Sequence, residues 1–188
     1  MILRLLLMLG AMGWLTACSS QAPDPTAQDP MGRASAVSVT MPEFVTDADT
    51  TLGWRSDLIW VDDPEGRFER RGRVLQQALR EEFERKGYRF LTSADQPDYD
   101  VLAVVLLGEL KDHEEVQEVF RLYPSLAAPA TGYSKGTVMV AIAPHGTRDI
   151  VWRGALEVYT DPGMQPANAR DERATWVAQQ LLGSIPAI

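Results

Sequence analysis

From residue 35 the chain begins to alternate: Val37, Val39 and Met41 are separated by Ser38 and Thr40, and Pro42 ends the run, which predicts a short first strand. After the polar stretch Thr46 to Thr51, the residues Leu52, Trp54, Leu58 and Trp60 fall on one parity and Arg55 and Asp57 on the other, predicting a half-buried second strand with Ser56 as its exception. Asp62, or Asp63 followed by Pro64, offers a helix start with Glu65 close behind. Phe68, Leu75, Ala78, Leu79 and Phe83 then recur at spacings of three and four, the buried stripe of a long helix that Gly87 ends as a left-handed cap, with Tyr88 folding back. Glu69 with Arg73, Glu81 with Arg85 and Glu82 with Lys86 are spaced to pair on its surface. Val101 to Leu107 is continuously apolar and predicts a central strand covered on both faces.

The second half reads as a helix over about 112–122, a loop over 124–131 and two strands. Val138, Val140 and Ile142 share one face of the first strand; Ile150, Trp152, Leu156 and Val158 share one parity of the second, against Arg153 and Glu157. The turn between them, Pro144 to Asp149, makes the pair an antiparallel hairpin. Asp161-Pro162-Gly163 breaks the strand, Asn168 offers an N-cap, and Arg173, Trp176, Val177, Gln180 and Leu181 mark a last amphipathic helix ending at Gly183. The expected fold is α+β, a two-layer sandwich of an antiparallel sheet with two main helices packed on one face.

Ahead of this domain the pattern changes character. Arg4 is followed by an apolar run from Leu5 to Leu15, too short for a spanning helix of roughly 20 residues. The run ends in Leu15-Thr16-Ala17-Cys18, which resembles the lipobox of bacterial lipoprotein precursors. The resemblance implies cleavage before Cys18 and acylation of its thiol and amine, so that membrane lipid is the first expected partner. An ordinary signal peptide with an incidental cysteine, or an uncleaved anchor, is the alternative. From Ser19 to Arg33 the chain is mostly Ser, Gln, Ala, Asp and Pro, the composition of a tether. The expected organisation is a signal peptide over 1–17, an acylated cysteine and disordered tether over 18–34, and a single α+β domain over 35–188. Ser19 and Ser20 follow the cysteine in place of the aspartate that retains enterobacterial lipoproteins at the inner membrane. That favours the outer membrane, facing the periplasm.

Charge narrows the partners. The formal net charge is −8 and no basic cluster stands free of acidic neighbours, which argues against nucleic acid and against an anionic lipid surface. The basic run Arg67 to Arg73 is interleaved with Glu69 and reads as a solvated helix face. Cys18 is the one cysteine, so the domain is expected to be held by its core without a disulfide.

Several segments together resemble the domain-of-unknown-function 4136 family of bacterial lipoproteins. They are Lys86-Gly87-Tyr88, Pro97-Asp98-Tyr99-Asp100 with the apolar strand after it, Gly136-Thr137, Val151-Trp152-Arg153-Gly154 and Ile185-Pro186. The resemblance runs from about Val37 to Pro186. It departs over Glu109 to Thr131 and at Pro144-His145-Gly146, where the family more often has an Asp and a Thr-Gly. It implies the fold and the location, and no activity.

Catalytic chemistry has little to stand on. His113 lies in an acidic stretch and His145 in a turn; neither has a Cys or second His at metal-ligand spacing, and no nucleophile, zinc or phosphate motif occurs. We therefore expect no cofactor, no metal and no catalytic residue. Trp152 and Arg153, with Tyr133 and Lys135 across the hairpin, are the candidate contacts for a ligand or partner. Against that, a tryptophan in strand parity is usually core and an arginine on the opposite face usually covers the sheet. The expected function is a non-catalytic binding or envelope-assembly module with an envelope protein as partner. The alternatives are an accessory subunit of lipid or lipopolysaccharide transport, by fold analogy alone, and an enzyme with an unrecognised site.

Overall fold

The computed structural model describes residues 33–61, 63, 68–92, 95–108, 112–124, 134–160 and 170–188. The first strand, β1, is Arg33–Thr40. It is longer than its alternation alone predicted. The second predicted strand is two: β2, Thr51–Trp54, and β3, Ile59–Val61, with a bend between them. Helix α1 is Glu69–Arg85, and β4 is Arg89–Phe90. The apolar run forms β5, Tyr99–Leu107, followed by the short helix α2, Glu114–Phe120. The hairpin strands are β6, Ser134–Pro144, and β7, Trp152–Thr160, and the last helix is α3, Arg170–Leu181.

The seven strands form one sheet in the order β1-β7-β6-β5-β2-β4, with β3 continuing beside β5 beyond the end of β2. The α+β expectation holds, with one correction: the sheet is mixed. β1, β7, β6 and β5 are antiparallel neighbours, but β2 and β3 run parallel to β5, and β4 runs parallel to β2. The cause is α1, which lies between the β2/β3 pair and β5. A helix of that length returns the chain to the start of the sheet, so the next strand runs the same way.

The break in the second strand preserves its faces. Trp54 pairs with Val101 and Ile59 with Val104, five residues against three, so two extra residues bulge out at the bend. An even excess leaves parity unchanged. Leu52, Trp54, Leu58 and Trp60 therefore all reach the same core.

That core lies between the sheet and the helices α1 and α3, which pack on each other and on one face. From α1 come Leu75, Ala78, Leu79 and Phe83, from α3 Ala174, Val177, Ala178 and Leu181, and from the sheet Val101, Ala103, Val105, Val138, Val140, Ile142, Trp152, Leu156 and Val158. The α3 stripe is rotated from the one expected: Gln180 is exposed, while Arg173 and Trp176 are half-buried. The opposite sheet face carries a smaller cluster of Val104, Leu106, Met139, Ala141 and Ala155, covered by Phe120 and Leu122 from α2 and the turn after it. β5 is thus covered on both faces, as its unbroken apolar run requires.

Two helix details differ from expectation. α1 starts at Glu69, with Phe68 as N-cap residue, after a turn in which the Asp63 carboxylate accepts the Phe68 amide at 2.8 Å. The expected caps Asp62 and Asn168 lie outside the described residues, as do Cys18, residues 18–32 of the tether, the loop over 125–131, the Asp161-Pro162-Gly163 break and Tyr133. The side chain of Glu69, expected to pair with Arg73, lies outside the described ones, and the other two expected ion pairs of α1 differ. Arg85 pairs with Glu82, Arg80 with Glu84, and Glu81 accepts a hydrogen bond from Gln77. Glu82 sits within the buried stripe, 4% exposed, and Arg85 satisfies both its oxygens from the rim.

Candidate functional site

The Trp-Arg-Gly strand divides between the two faces. Trp152 is fully buried on the helix face. Gly154, two residues on and on the same face, explains the pairing of these residue types. A Cβ there would stand 2.6 Å from the far edge of the Trp152 ring and 3.3 Å from Leu181 of α3. The indole thus lies along its own strand, in the space a side chain would fill. The Trp152 Nε1 has no hydrogen-bond partner. Arg153 points to the other face, half-buried, opposite Ala141 of β6 and Val39 of β1.

Lys135 does not join this pair. The register sets it opposite Tyr159, whereas Arg153 stands opposite Ala141, six residues further along β6. At about 3.4 Å per residue that is roughly 20 Å, so the expected grouping of Lys135 with Trp152 and Arg153 is corrected by the pairing. Lys135 has a different partner. Its Nζ lies 2.5 Å from Glu157 Oε1, the Lys135 side chain being 13% exposed and that of Glu157 1%. The ammonium also stands 5.5 Å from the centre of the Tyr159 ring. Between them, Thr137, opposite Glu157, is fully buried with its hydroxyl unpartnered. A buried ion pair and a buried hydroxyl thus lie together on one sheet face. Half of the sequence signal was present: Glu157 interrupts the apolar run from Ala155 to Tyr159, whereas Lys135 stands among Ser134, Gly136 and Thr137.

Lys86-Gly87-Tyr88 and Ile185-Pro186 meet each other. Gly87, at φ +105°, and Tyr88 close α1, the Tyr88 amide reaching the Phe83 carbonyl at 3.2 Å. The segment after α3 docks on this closure. Lys86 Nζ donates to the carbonyls of Gly183 and Ile185, Tyr88 Oη to that of Pro186, and the Ile188 amide to that of Lys86. Burial, the largest influence, raises the Tyr88 pKa above the ordinary phenol value.

Pro97 to Asp100 staples β5 to its neighbours. Pro97 lies against Gly53, where a Cβ would stand 2.8 Å from its ring. Asp98 accepts both the amide and the hydroxyl of Thr51, at 2.8 and 2.5 Å, and its own amide donates back to that hydroxyl at 2.9 Å. The Thr51 hydroxyl, and after it the Thr51 amide, hold the Asp98 carboxyl below the usual range. Tyr99 packs edge-on against Phe44. Asp100 receives the Gly146 amide at 3.0 Å and lies 2.8 Å from His145 Nδ1, with Arg55 at 3.8 Å. Burial pushes the Asp100 pKa up, but the Gly146 amide, His145 and Arg55 together outweigh it and the carboxyl is lowered. His145 therefore ties the hairpin turn to β5, a pairing 45 residues apart that sequence reading did not find. Beside this corner Asp47, Asp49, Thr50, Asp98, Tyr99, Val45 and Pro144 line an open cleft of about 420 Å³. Its carboxylates each have partners: Asp47 takes the Asp49 amide and the Thr50 hydroxyl of its own turn, Asp49 lies 3.9 Å from Arg89 Nη1, and Asp98 holds Thr51.

His113 is the N-cap residue of α2, its carbonyl accepting the Gln117 amide. Among the described residues no three of His, Cys, Asp and Glu are grouped to hold a metal ion, and no helix is long and apolar enough to cross a membrane.

These elements define an α+β sandwich in which a mixed seven-stranded sheet carries two helices on one face and a short third on the other. No family model matches the chain, and no curated protein matches it. Among solved structures it is similar to the PelC dodecamer from Paraburkholderia phytofirmans, with a TM-score of 0.50 and 10% identity over 83% of this chain and 99% of that one. That likeness shows a shared fold. A DUF4136 family protein from Bacteroides thetaiotaomicron also matches, with a TM-score of 0.44 and 11% identity over 77% of this chain and 94% of that one.

Proposed function

We propose that this chain is a bacterial lipoprotein of the DUF4136 kind, anchored through acylated Cys18 to the outer membrane, where its periplasm-facing domain acts as a non-catalytic binding or envelope-assembly module. The observation that carries this reading is Leu15-Thr16-Ala17-Cys18 at the end of a short apolar run, followed by a proline-rich stretch that leads into β1. Two or three acyl chains, at about 0.8 kcal/mol per buried methylene, hold a protein at a bilayer where one would not.

The interior supports a scaffold over a reaction centre. Four of the five segments that carried the family resemblance have a folding role: Gly154 makes room for Trp152, Gly87 and Tyr88 receive the segment with Ile185 and Pro186, and Asp98 and Asp100 fasten β5. Exposed function then falls to the sheet margin and the loops.

The test is fatty-acid labelling of the intact protein and of Cys18→Ser. Label on the wild type that is lost from the serine variant, together with loss of that variant from the outer-membrane fraction, is the expected result. Label persisting on Cys18→Ser, or an inner-membrane location for the wild type, would contradict the corresponding half of the reading.

A further inference from the structure

β1 is the outermost strand on its side of the sheet, and among the described residues it pairs with β7 alone. Its free edge can be assigned residue by residue. The Met41 amide donates to the Val151 carbonyl at 2.8 Å. In an antiparallel strand the N–H and C=O of one residue point the same way, and successive residues alternate. Odd-numbered residues of β1 therefore turn their backbone towards β7, while Ala34, Ala36, Ser38 and Thr40 turn theirs outward. Ala36, Ser38 and Thr40 are exposed.

Natural edge strands are blunted by lysine, proline, inward charge or a bulge. From Ala34 to Thr40 this one has no charged residue and no proline, and its pairing with β7 runs unbroken over all eight residues. Among the described residues the result is a ladder about 27 Å long whose outward donors and acceptors have no partner.

We propose that this edge pairs, antiparallel and about a two-fold axis, with β1 of a second copy of the chain. Three observations favour a copy over another occupant. An isologous pair sets the strand against itself, and its outward residues are small or neutral, so the backbones can approach. The chain is acidic, with 26 Asp and Glu against 18 Lys and Arg, and Ala34 to Thr40 lets two copies meet without opposing carboxylates along the strand. Finally, β1 directly follows the stretch that leads from Cys18, so every anchored copy presents it at the same reach from the bilayer. One strand pair covers less than the roughly 800 Å² per partner of a stable complex. Confinement to one membrane plane supplies the missing association by raising effective concentration. The proposal thus rests on the lipid-anchor reading.

The experiment uses the intact lipidated protein in vesicles of phosphatidylethanolamine and phosphatidylglycerol, at high surface density and after spreading over excess lipid. Flotation reports anchoring, backbone amide exchange reports the edge, and energy transfer between labelled copies reports association. Slow exchange at Ala36 and Ser38 at high density, lost on spreading in step with energy transfer, is expected. Ala36→Pro deletes an outward N–H and leaves the β1–β7 bonds; Ala36→Lys sets like charges near the axis. Both should abolish energy transfer while keeping the wild-type circular dichroism. Protein that floats yet exchanges fast at high density overturns the pairing alone, as does energy transfer that survives a folded Ala36→Lys. Protein that does not float overturns the anchor and, with it, this proposal.

Discussion

Trp152 and Gly154 act as one unit, because the indole occupies the volume the glycine leaves open. Trp152→Ala should cost about 3–5 kcal/mol, the usual figure for removing a buried aromatic. Gly154→Ala should cost about 1–3 kcal/mol through overpacking against the ring. Both are read from denaturant unfolding, and a Gly154→Ala variant as stable as wild type would show that the ring does not need this space. At the buried ion pair, Glu157→Leu removes a carboxylate partner of the Lys135 ammonium and should cost about 3–5 kcal/mol, part of it recovered in the double variant Lys135→Met/Glu157→Leu. A double variant no better than the single would mean the pair contributes net stability. Asp98 carries a pH prediction. Its carboxyl is lowered chiefly by the Thr51 hydroxyl, so its contribution is present above the unfolded value near 3.9 and is lost as pH falls through the lower folded value. Thr51→Val should raise the Asp98 pKa towards its ordinary value and shift acid unfolding to higher pH. Carboxyl titration by NMR checks the first effect and circular dichroism the second.

At the scale of elements, the end of α1 and the chain after α3 stabilise each other. Tyr88→Phe removes the bond to Pro186 and should cost about 1 kcal/mol. Gly87→Ala should cost at least as much, since φ +105° is unfavourable for any residue with a Cβ and the Ile188 backbone stands where that Cβ would go. Thermal unfolding separates these from wild type; a Gly87→Ala protein of unchanged midpoint would mean the closure relaxes freely. The Gly-Tyr stop was legible, because a left-handed cap and its apolar follower are local. What it docks with was not, since Lys86 and Ile185 are 99 residues apart. The same limit explains the second strand: its parity was readable and correct, while the break within it depends on how much of β5 each half must cover.

For the whole molecule, cohesion comes from two apolar clusters on either side of one sheet. No cysteine follows Cys18, so the midpoint of thermal unfolding should be the same with and without reductant. A midpoint that falls with reductant would reveal a link between chains through Cys18, and hence an unacylated thiol. The sequence by itself determined the α+β class, the apolar strand at the centre, the buried side of α1, the hairpin and the lipid-anchor reading, because each is written in local periodicity or in a short contiguous motif. Only the tertiary structure decided that the sheet is mixed, that Lys135 meets Glu157 and not Arg153, that His145 holds Asp100, and that β1 is the outermost of the described strands on its side. These are statements about which strands become neighbours, in which direction and in which register. A period of two marks the buried face of a strand but carries no information on the strand that will lie beside it.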